Sequence, residues 1–521
     1  MELKLHYEID RKRKQQRYVA ETWVFLPKTL GLTKSTYPKE RFYEDTAAFV
    51  RMKTPAVALR ALANTDQAKG WFDATKRPLD RILSGGRGAS KAIRRLKLLG
   101  CIYKRAISDD GAALLAEFDT LDEVGGGSLA TRLETLEQRL TKFRTEMSDA
   151  MLRLRSLSAR CEQSVMPKRV SDIWRAVDEY MALVAEEIFT DLVTVLDNAL
   201  ATVSESAPVG PIRAVRNQLA DDAIEQYRYR RARSYPSYIQ PGEPNEQLPY
   251  RMHVLKRIVS SVLWLDVREA DPGRVALNVV GVIAAMAAMA FAILVTIWAS
   301  LNFEMASATF VIIAVSSYAV KDRIKEWGRK VLGRQVARYL PDRQTEVLDE
   351  DSGARIGVCN EAVSIMSSGD VPPDIRALRH VDHTSTAATD GRPETVIRYT
   401  KQVALSSEAL EAGLDGVRGL NDIIRFNLGR LRERMDSPWE VHRIVDPDTR
   451  EVVTHKCARV YHVNLVLRFA TVRGRQRVFE TERVRVILDQ EGIKRIEAVD
   501  HTRPALSIQT SLAPVLDVAA E

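Results

Sequence analysis

The segment RHVDHTST holds the residues whose types and spacing come closest to a metal site, namely His380, Asp382 and His383. Imidazole nitrogens and carboxylate oxygens are ligands that zinc accepts, and a zinc site needs three or four of them from the protein in tetrahedral geometry. Here the remaining ligands would have to come from distant parts of the chain. We therefore predict a polar loop and no metal ion, and name these three residues as the candidate ligands.

A glycine-rich segment, SGGRGASKAIRRLKLLG, invites comparison with a phosphate-binding loop. The pattern GxxxxGK[ST] would need glycine in place of Ser90 and serine or threonine in place of Ala92. The segment instead predicts a turn that leads into a basic helix. We find no nucleophile elbow, HExxH motif or paired-carboxylate signature, so the catalytic residues are unknown, no cofactor is expected, and an enzyme is the less favoured class.

The cysteines indicate a reducing compartment. Cys101, Cys161, Cys359 and Cys457 lie far apart and match no CxxC spacing, which favours free thiols in the cytosol. The N-terminal segment alternates polar and apolar side chains, which predicts two strands around IDRKRKQQR. It lacks the apolar core of roughly 7 to 15 residues that a secretory signal requires. We therefore expect no secretion.

Residues 275–320 form an apolar stretch whose single charged residue is Glu304. As one straight helix the stretch would measure about 69 Å, roughly twice the hydrocarbon thickness of a bilayer. Its polar interruption, SLNFE, predicts a turn at residues 300–304 between two transmembrane helices, about 275–299 and 305–320. A buried helical hairpin in a soluble core and a single span with a re-entrant segment are the alternatives.

Basic residues flank this stretch on both sides, and the predicted turn contains none, so both flanks are predicted to be cytoplasmic. The protein is thus expected in the cytoplasmic (inner) membrane, with two spans and both termini in the cytoplasm. Seven residues after the second span are predicted to lie on the membrane surface: Lys321, Arg323, Lys325, Trp327, Arg329, Lys330 and Arg334. Their cations would meet anionic inner-leaflet lipids at about 1 kcal/mol each, unless this helix packs on the protein's own cytosolic domains.

The first span carries small residues at helical spacings of three and four. Gly281, Ala284, Ala285, Ala288 and Ala292 form a face on which a second helix can approach closely. That second helix belongs either to the same hairpin or to another subunit. Neither span contains a charged residue, which counts against an ion or proton relay.

Before the membrane stretch, the pattern is mainly helical. Apolar residues from Leu129 to Cys161 repeat by four and three, and a second amphipathic run follows residue 168. The short connection favours an antiparallel helical hairpin over an intermolecular coiled coil. Further on, EQYRYRRARSYPSY alternates arginine with tyrosine; we favour a solvated or lipid-facing role for it over single-stranded nucleic acid.

After the membrane stretch, residues 341–393 predict long loops, because they are polar and show little periodicity. ETVIRYTKQVAL predicts a strand, and LNDIIRFNLGRLRERMD predicts an amphipathic helix through Leu420, Ile423, Ile424, Leu428 and Leu431. Three strands follow, in ARVYHVNLVLRFATV, RVFETERVRVIL and IKRIEAV.

The predicted fold class is an α+β membrane protein: a two-span transmembrane helical hairpin, an N-terminal α-rich cytosolic region with a long antiparallel helical hairpin or coiled coil, and a C-terminal antiparallel-sheet α+β domain. The predicted domains are an N-terminal α+β domain at 1–125, the helical hairpin or coiled coil at 126–235, a linker with a membrane-proximal amphipathic helix at 236–274, the spans at 275–320, a basic helix at 321–340 and the C-terminal domain at 341–521.

The formal net charge of +8 favours an anionic neighbour. The expected partners are a lipid bilayer with anionic inner-leaflet lipids and a second copy or another protein, with nucleic acid disfavoured. We favour a non-enzymatic scaffold or sensor that anchors cytosolic domains at the membrane. The alternatives are a subunit of an oligomeric channel or transport accessory, and a membrane-associated enzyme with an unrecognised site.

Overall fold

The structure is a computed structural model, and it describes residues 1–498 except for 9–12, 65–68, 120–128, 203–209, 241, 271, 305–306, 338–339, 350–352, 381–393, 414–416, 418 and 474–475. It is an α+β protein with an antiparallel sheet in its C-terminal part, as predicted. Within the described residues the α-helices are α1 (Lys39–Glu44), α2 (Leu59–Ala63), α3 (Lys69–Leu83), α4 (Ala89–Asp119), α5 (Leu129–Arg155), α6 (Ser158–Cys161), α7 (Lys168–Thr202), α8 (Gly210–Ala232), α9 (Gln247–Ser260), α10 (Pro272–Asn302), α11 (Ala308–Ala337), α12 (Pro373–His380), α13 (Ser407–Gly413) and α14 (Gly429–Arg432).

The strands form three sheets, whose members pair antiparallel in the registers observed. In the same described part of the chain they are β1 (Glu2–Glu8), β2 (Gln15–Pro27), β3 (Thr46–Met52), β4 (Asp266–Ala270), β5 (Arg343–Leu348), β6 (Arg355–Ser367), β7 (Glu394–Ser406), β8 (Gly419–Phe426), β9 (Trp439–Val445), β10 (Val452–Ala458), β11 (Tyr461–Arg473), β12 (Gln476–Leu488) and β13 (Ile493–Ala498).

The chain divides into two compact units, and the division departs from the predicted domain boundaries. Unit 1 contains the described residues of 1–51, 265–415 and 419–521, and unit 2 contains 52–264 with 416–418. The N-terminal strands belong with the C-terminal ones because β2 pairs with β7 on one side and with β11 on the other. Such pairing between distant segments cannot be deduced from strand periodicity.

Unit 1 is built on an eight-stranded sheet of order β13-β12-β11-β2-β7-β6-β5-β4. A three-stranded sheet of order β1-β8-β3 lies against one face, which we call the inner face, and α12 packs on the opposite face. Trp23, Phe25 and Ile375 belong to the apolar cluster on the α12 side. Because both faces are covered, β2 buries most residues toward its end instead of every second one.

Two predictions for the C-terminal part are wrong. The segment expected to form long loops contains β5, β6 and α12, and the expected amphipathic helix begins as strand β8, which continues into the short helix α14. Strand β8 is buried on both faces from Gly419 to Ile424, so its sequence lacks the alternation of a strand with one solvated face. The strands predicted in the N-terminal segment, in β7 and in β11 to β13 are confirmed.

Helices α10 and α11 form an antiparallel pair between two neighbouring strands of the large sheet. Strand β4 ends at Ala270, two residues before α10 begins, and β5 begins six residues after the end of α11. β4 and β5 pair directly, from Asp266 opposite Leu348 to Ala270 opposite Gln344. The chain therefore leaves the large sheet at β4, forms α10 and α11, and rejoins the sheet at the neighbouring strand β5.

Unit 2 is helical, and α7 is its central helix. Every residue from 176 to 185 of α7 is buried, so this helix is covered around its whole circumference. It packs mainly against α4 and α8, whereas α5 packs mainly against α2 and α8. The predicted pairing of the two long helices α5 and α7 is thus a minor contact, because a helix that is buried on all sides is covered by more than one neighbour.

The close approach of β6 and β7 generates a test of the fold. A methyl group on Gly357 would lie 2.6 Å from the carbonyl oxygen of Ala404. We expect Gly357→Ala to lower the free energy of unfolding by roughly 1–3 kcal/mol through overpacking, measured as a lower melting temperature of the purified protein. Gly369→Ala is the control, because its added methyl group would meet only the Ser367 hydroxyl at 3.7 Å. Equal melting temperatures for both variants would contradict this packing.

Candidate functional site

Two of the three candidate metal ligands, Asp382 and His383, lie outside the described residues, and His380 is the last residue of α12. Among the residues that are described, no group of three or more histidine, cysteine, aspartate or glutamate side chains could hold a metal ion. The predicted polar loop without a metal ion therefore stays a prediction.

The arginine and tyrosine segment at the end of α8 is packed in unit 2 on one side only: Arg230 and Tyr235 are buried, which corrects the expected solvated role for them, whereas Arg228 and Arg231 are exposed. The hydroxyl groups of Tyr229 and Tyr235 each donate to the buried Asp178 carboxylate at 2.7 Å. Arg230 is 2% exposed and pairs with Glu186, and the Arg155 guanidinium lies over the Tyr229 ring at 3.6 Å. A polar network of α5, α7 and α8 uses these side chains, which accounts for their alternation.

Helix α10 is the one helix of the described chain that is long and apolar enough to cross a membrane, over Val275–Asn302. Most of its large apolar side chains are exposed, including Leu294 at 66% and Leu301 at 79%. Helix α11 fails the same criterion because its apolar part ends at Val320 and the basic residues follow without a break in the helix. The structure thus supplies one candidate membrane helix.

Part of the predicted small-residue face of α10 is buried, namely Ala284, Ala288 and Ala292, whereas a methyl group on Gly281 would meet no atom within 4 Å. A methyl group on Gly328 of α11 would lie only 3.2 Å from the Ala284 Cβ. The close approach that small residues permit is therefore used within the helical pair.

This packing sets the register of the two helices. Gly328 lies opposite Ala284, and Gly333 approaches the Leu277 side chain. The basic half of α11, which holds all seven predicted membrane-surface residues, consequently lies beside the apolar first half of α10. The second half of α10 lies beside the apolar half of α11. We call these two parts the base half and the tip half of the helical pair.

A second site is a set of buried charges between the two sheets of unit 1. The Lys401 ammonium on β7 lies 2.7 Å from the Asp422 carboxylate on β8 and 3.5 Å from the Glu361 carboxylate on β6. All three side chains are at least 96% buried. Lys401 and Glu361 are direct partners across β6 and β7, and Asp422 reaches them from the small sheet. We call Lys401, Asp422 and Glu361 the buried triad.

Neutral groups complete the surroundings of the buried triad. The Tyr7 hydroxyl donates to Asp422 at 3.5 Å. Burial, with the nearby carboxylates, raises the pKa of Tyr7 and of Tyr399 well above the ordinary value, so both phenols stay protonated. Burial likewise raises the pKa of the Cys359 thiol to about 12. The triad itself thus holds the charge of this interior: one cation and two carboxylates.

The electrostatic balance favours the charged form of Lys401. Burial lowers the pKa of its ammonium group, but the facing Asp422 carboxylate, helped by Glu361, raises it more, and the pKa lies above the ordinary value. Removing these groups from water costs several kcal/mol per ion, which only close pairing offsets. The two ion pairs of Lys401 join β6, β7 and β8.

Sequence reasoning missed the triad. Asp422 was placed in a predicted helix and Glu361 in a predicted loop, while the confirmed strand β7 contains Lys401 at an alternating inward position. A lysine at an apolar position of a strand was the available signal, because such a charge requires a buried counter-charge.

Comparison with protein-family models, with curated proteins and with solved structures finds no match for this chain. Its function is therefore inferred from its own residues.

The triad generates a stability prediction. We expect Lys401→Met to lower the free energy of unfolding by roughly 3–5 kcal/mol at neutral pH, because two buried carboxylates lose their counter-ion. The deficit against the wild type is measured by thermal unfolding. Lys456→Met, at an exposed position of β10, is the control; equal melting temperatures for the two variants would contradict the assignment.

The cysteines generate a second prediction. Cys101, Cys161 and Cys359 are buried and Cys457 is exposed. Burial raises the pKa of both Cys161 and Cys359 to about 12, so neither is a thiolate at neutral pH. A maleimide reagent at pH 7.5 should therefore label one thiol per native chain and four after denaturation. Cys457→Ser should abolish the native labelling, and a label on Cys359 in the native protein would contradict the described core.

Proposed function

We propose that this protein is a membrane-attached, non-enzymatic scaffold or sensor that holds its two units at the cytoplasmic face. One observation carries the proposal: an exposed apolar helical pair that begins and ends in two adjacent, hydrogen-bonded strands of one sheet. Exposed apolar area of this extent on a monomer marks a surface that meets a membrane or another protein. The high apolarity of α10 over 28 residues favours the membrane.

The pairing of β4 with β5 supports a chain that returns to the side it left. A single crossing would place β4 and β5 on opposite sides of the bilayer, which their pairing does not allow. The chain leaves unit 1 for unit 2 after residue 51 and returns to unit 1 at residue 265. Both ends of the segment that forms unit 2 are therefore attached to unit 1. We therefore place both units on one side, and the basic residues of α11 favour the cytoplasmic one.

The register of α10 and α11 bears on how deep the pair inserts. Two complete spans in this register would bring Lys325, Arg329 and Lys330 beside the first half of α10, at hydrocarbon depth, where each cation costs about 2.5–3.5 kcal/mol or more. Insertion of the tip half alone keeps these cations at the headgroups. The tip half measures about 17 Å from the level of Lys321 to Asn302. This length reaches just beyond the midplane of a hydrocarbon core that is roughly 30 Å thick, but it does not span the core.

We accordingly propose that the tip half enters the bilayer and that the base half lies at its surface. Between residues 321 and 334, α11 carries six lysines and arginines against Asp322 and Glu326, which suits anionic lipid headgroups. The two-span arrangement stays a prediction that the same experiment tests. The channel and enzyme alternatives also stay predictions of the sequence, and no described contact favours either.

Tryptophan quenching tests attachment and depth together. The full-length protein is reconstituted in phosphatidylcholine and phosphatidylglycerol vesicles whose acyl chains carry bromine either near the headgroup or near the chain end. Comparison of the wild type with Trp298→Phe and Trp327→Phe isolates the fluorescence quenching of each tryptophan. The Trp298 side chain is 54% exposed and the Trp327 side chain is 75% exposed. We expect deep bromines to quench Trp298, in the tip half, and shallow bromines to quench Trp327, in the base half.

Trp439→Phe provides the control, because Trp439 lies on the exposed strand β9 and should show no quenching. Deep quenching of Trp327 would favour two full spans over the tip-half insertion, since Trp327 lies near the level of the middle of α10. Absence of quenching at both Trp298 and Trp327 would refute membrane attachment altogether.

A further inference from the structure

We propose that unit 1 binds an anionic single-chain amphiphile in a pocket at one end of its inner face, with the acyl chain between the sheets and a carboxylate or phosphate at an arginine rim. The inference goes beyond membrane attachment and does not depend on it, because every residue that lines the pocket belongs to the sheet unit.

The walls of the pocket are apolar. About 820 Å³ of space lies between them, and part of it is open to solvent. The floor consists of inward side chains from neighbouring strands of the large sheet, among them Val24, Ile397, Val463 and Val486. Phe42 of α1 closes one side. Such apolar side chains suit a hydrocarbon chain, although Thr46 and Asn427 are polar residues of the same lining.

The charged residues of the lining, which we call the rim, are Arg41, Arg430, Arg434 and Asp45. Met1 also lines the pocket, and its N-terminal ammonium group donates to the carbonyl oxygen of Phe426 at 3.0 Å. Asp45 is 7% exposed and already engaged, because it accepts a hydrogen bond from the Tyr37 hydroxyl at 2.8 Å and pairs with Arg430 at 3.5 Å. The rim thus presents an excess of guanidinium groups to a ligand, which favours an anion over a neutral or cationic head.

Two of the rim arginines are held in place without using a counter-ion. Arg434 donates through one nitrogen to the carbonyl oxygens of Leu30 and Gly31, and Arg41 donates to that of Thr36. Among the described residues neither forms an ion pair. Their remaining N–H groups can bind two oxygens of one carboxylate or phosphate, which is the geometry that guanidinium favours. Arg430, by contrast, pairs with Glu44 and Asp45.

The test measures binding of radiolabelled dodecanoate and dodecyl phosphate to the full-length protein in phosphatidylcholine nanodiscs, with uptake by empty nanodiscs subtracted. Dodecyltrimethylammonium and dodecyl maltoside are the cationic and neutral probes. We expect saturable binding of one or both anionic probes. The probe that binds more tightly identifies whether the preferred head group is a carboxylate or a phosphate. The other probes should show no saturable binding.

Variants assign the site. Arg434→Gln and Arg41→Gln should each weaken binding roughly tenfold, because each loses a charge-assisted hydrogen bond. Val463→Phe should abolish binding by filling the pocket, and the matched control Arg443→Gln, on exposed β9, should leave it unchanged. Equal binding of anionic and neutral probes, no saturable anion binding, or unchanged affinity in both rim variants would overturn the proposal. None of these outcomes bears on the quenching of Trp298, so the two proposals fail separately.

Discussion

The interaction on which unit 1 depends is the contact of one buried ammonium group with two buried carboxylates. Lys401, Asp422 and Glu361 lie on three strands, β7, β8 and β6, and two sheets meet where they touch. An apolar contact tolerates small shifts, whereas a buried ion that loses its partner keeps the full cost of its desolvation. Because side chains alternate along a strand, a slip of one residue in β8 would turn Asp422 away from Lys401. The triad therefore favours one register of the small sheet against the large one.

The same residues show how far the fold could be predicted. Strands β1, β2, β7 and β11 to β13 alternate apolar and polar residues or carry long β-branched runs, and the sequence predicts them. Strand β8 does not alternate, because it is buried on both faces, and its apolar residues also match helical spacing. In β6, polar Glu361 stands at an inward position that an apolar residue normally occupies. The triad could not be predicted for a related reason. Each buried charge needs the others as counter-charges, but Glu361 and Lys401 are 40 positions apart in the sequence, and only the pairing of β6 with β7 brings them together.

The helical pair illustrates a different limit. Length, apolarity and the polar break of the apolar stretch predict two helices and a turn, and the described helices α10 and α11 agree with that much. The register of α10 against α11 was not predictable from these quantities. It is set by the contact of Ala284 with Gly328, and nothing in the sequence marks these two small residues as partners. That contact places a basic half beside an apolar half. The membrane topology of the helical pair therefore depends on how deeply the pair inserts into the bilayer.

Strand β8 connects the buried triad with the pocket. Asp422 is held at one point of the strand, and four residues later Phe426 lines the pocket, followed by Arg430 and Arg434 at its rim. On the opposite wall, the Phe42 ring lies 5.4 Å from the ring of Tyr399, which is two residues from Lys401 on the same face of β7. The triad thus fixes both the strand that leads to the rim and the aromatic group beneath the pocket. Arg430 and Arg434 follow the end of this strand by four and eight residues. The ion pairs that secure β8 therefore also fix where the segment with these two rim arginines begins.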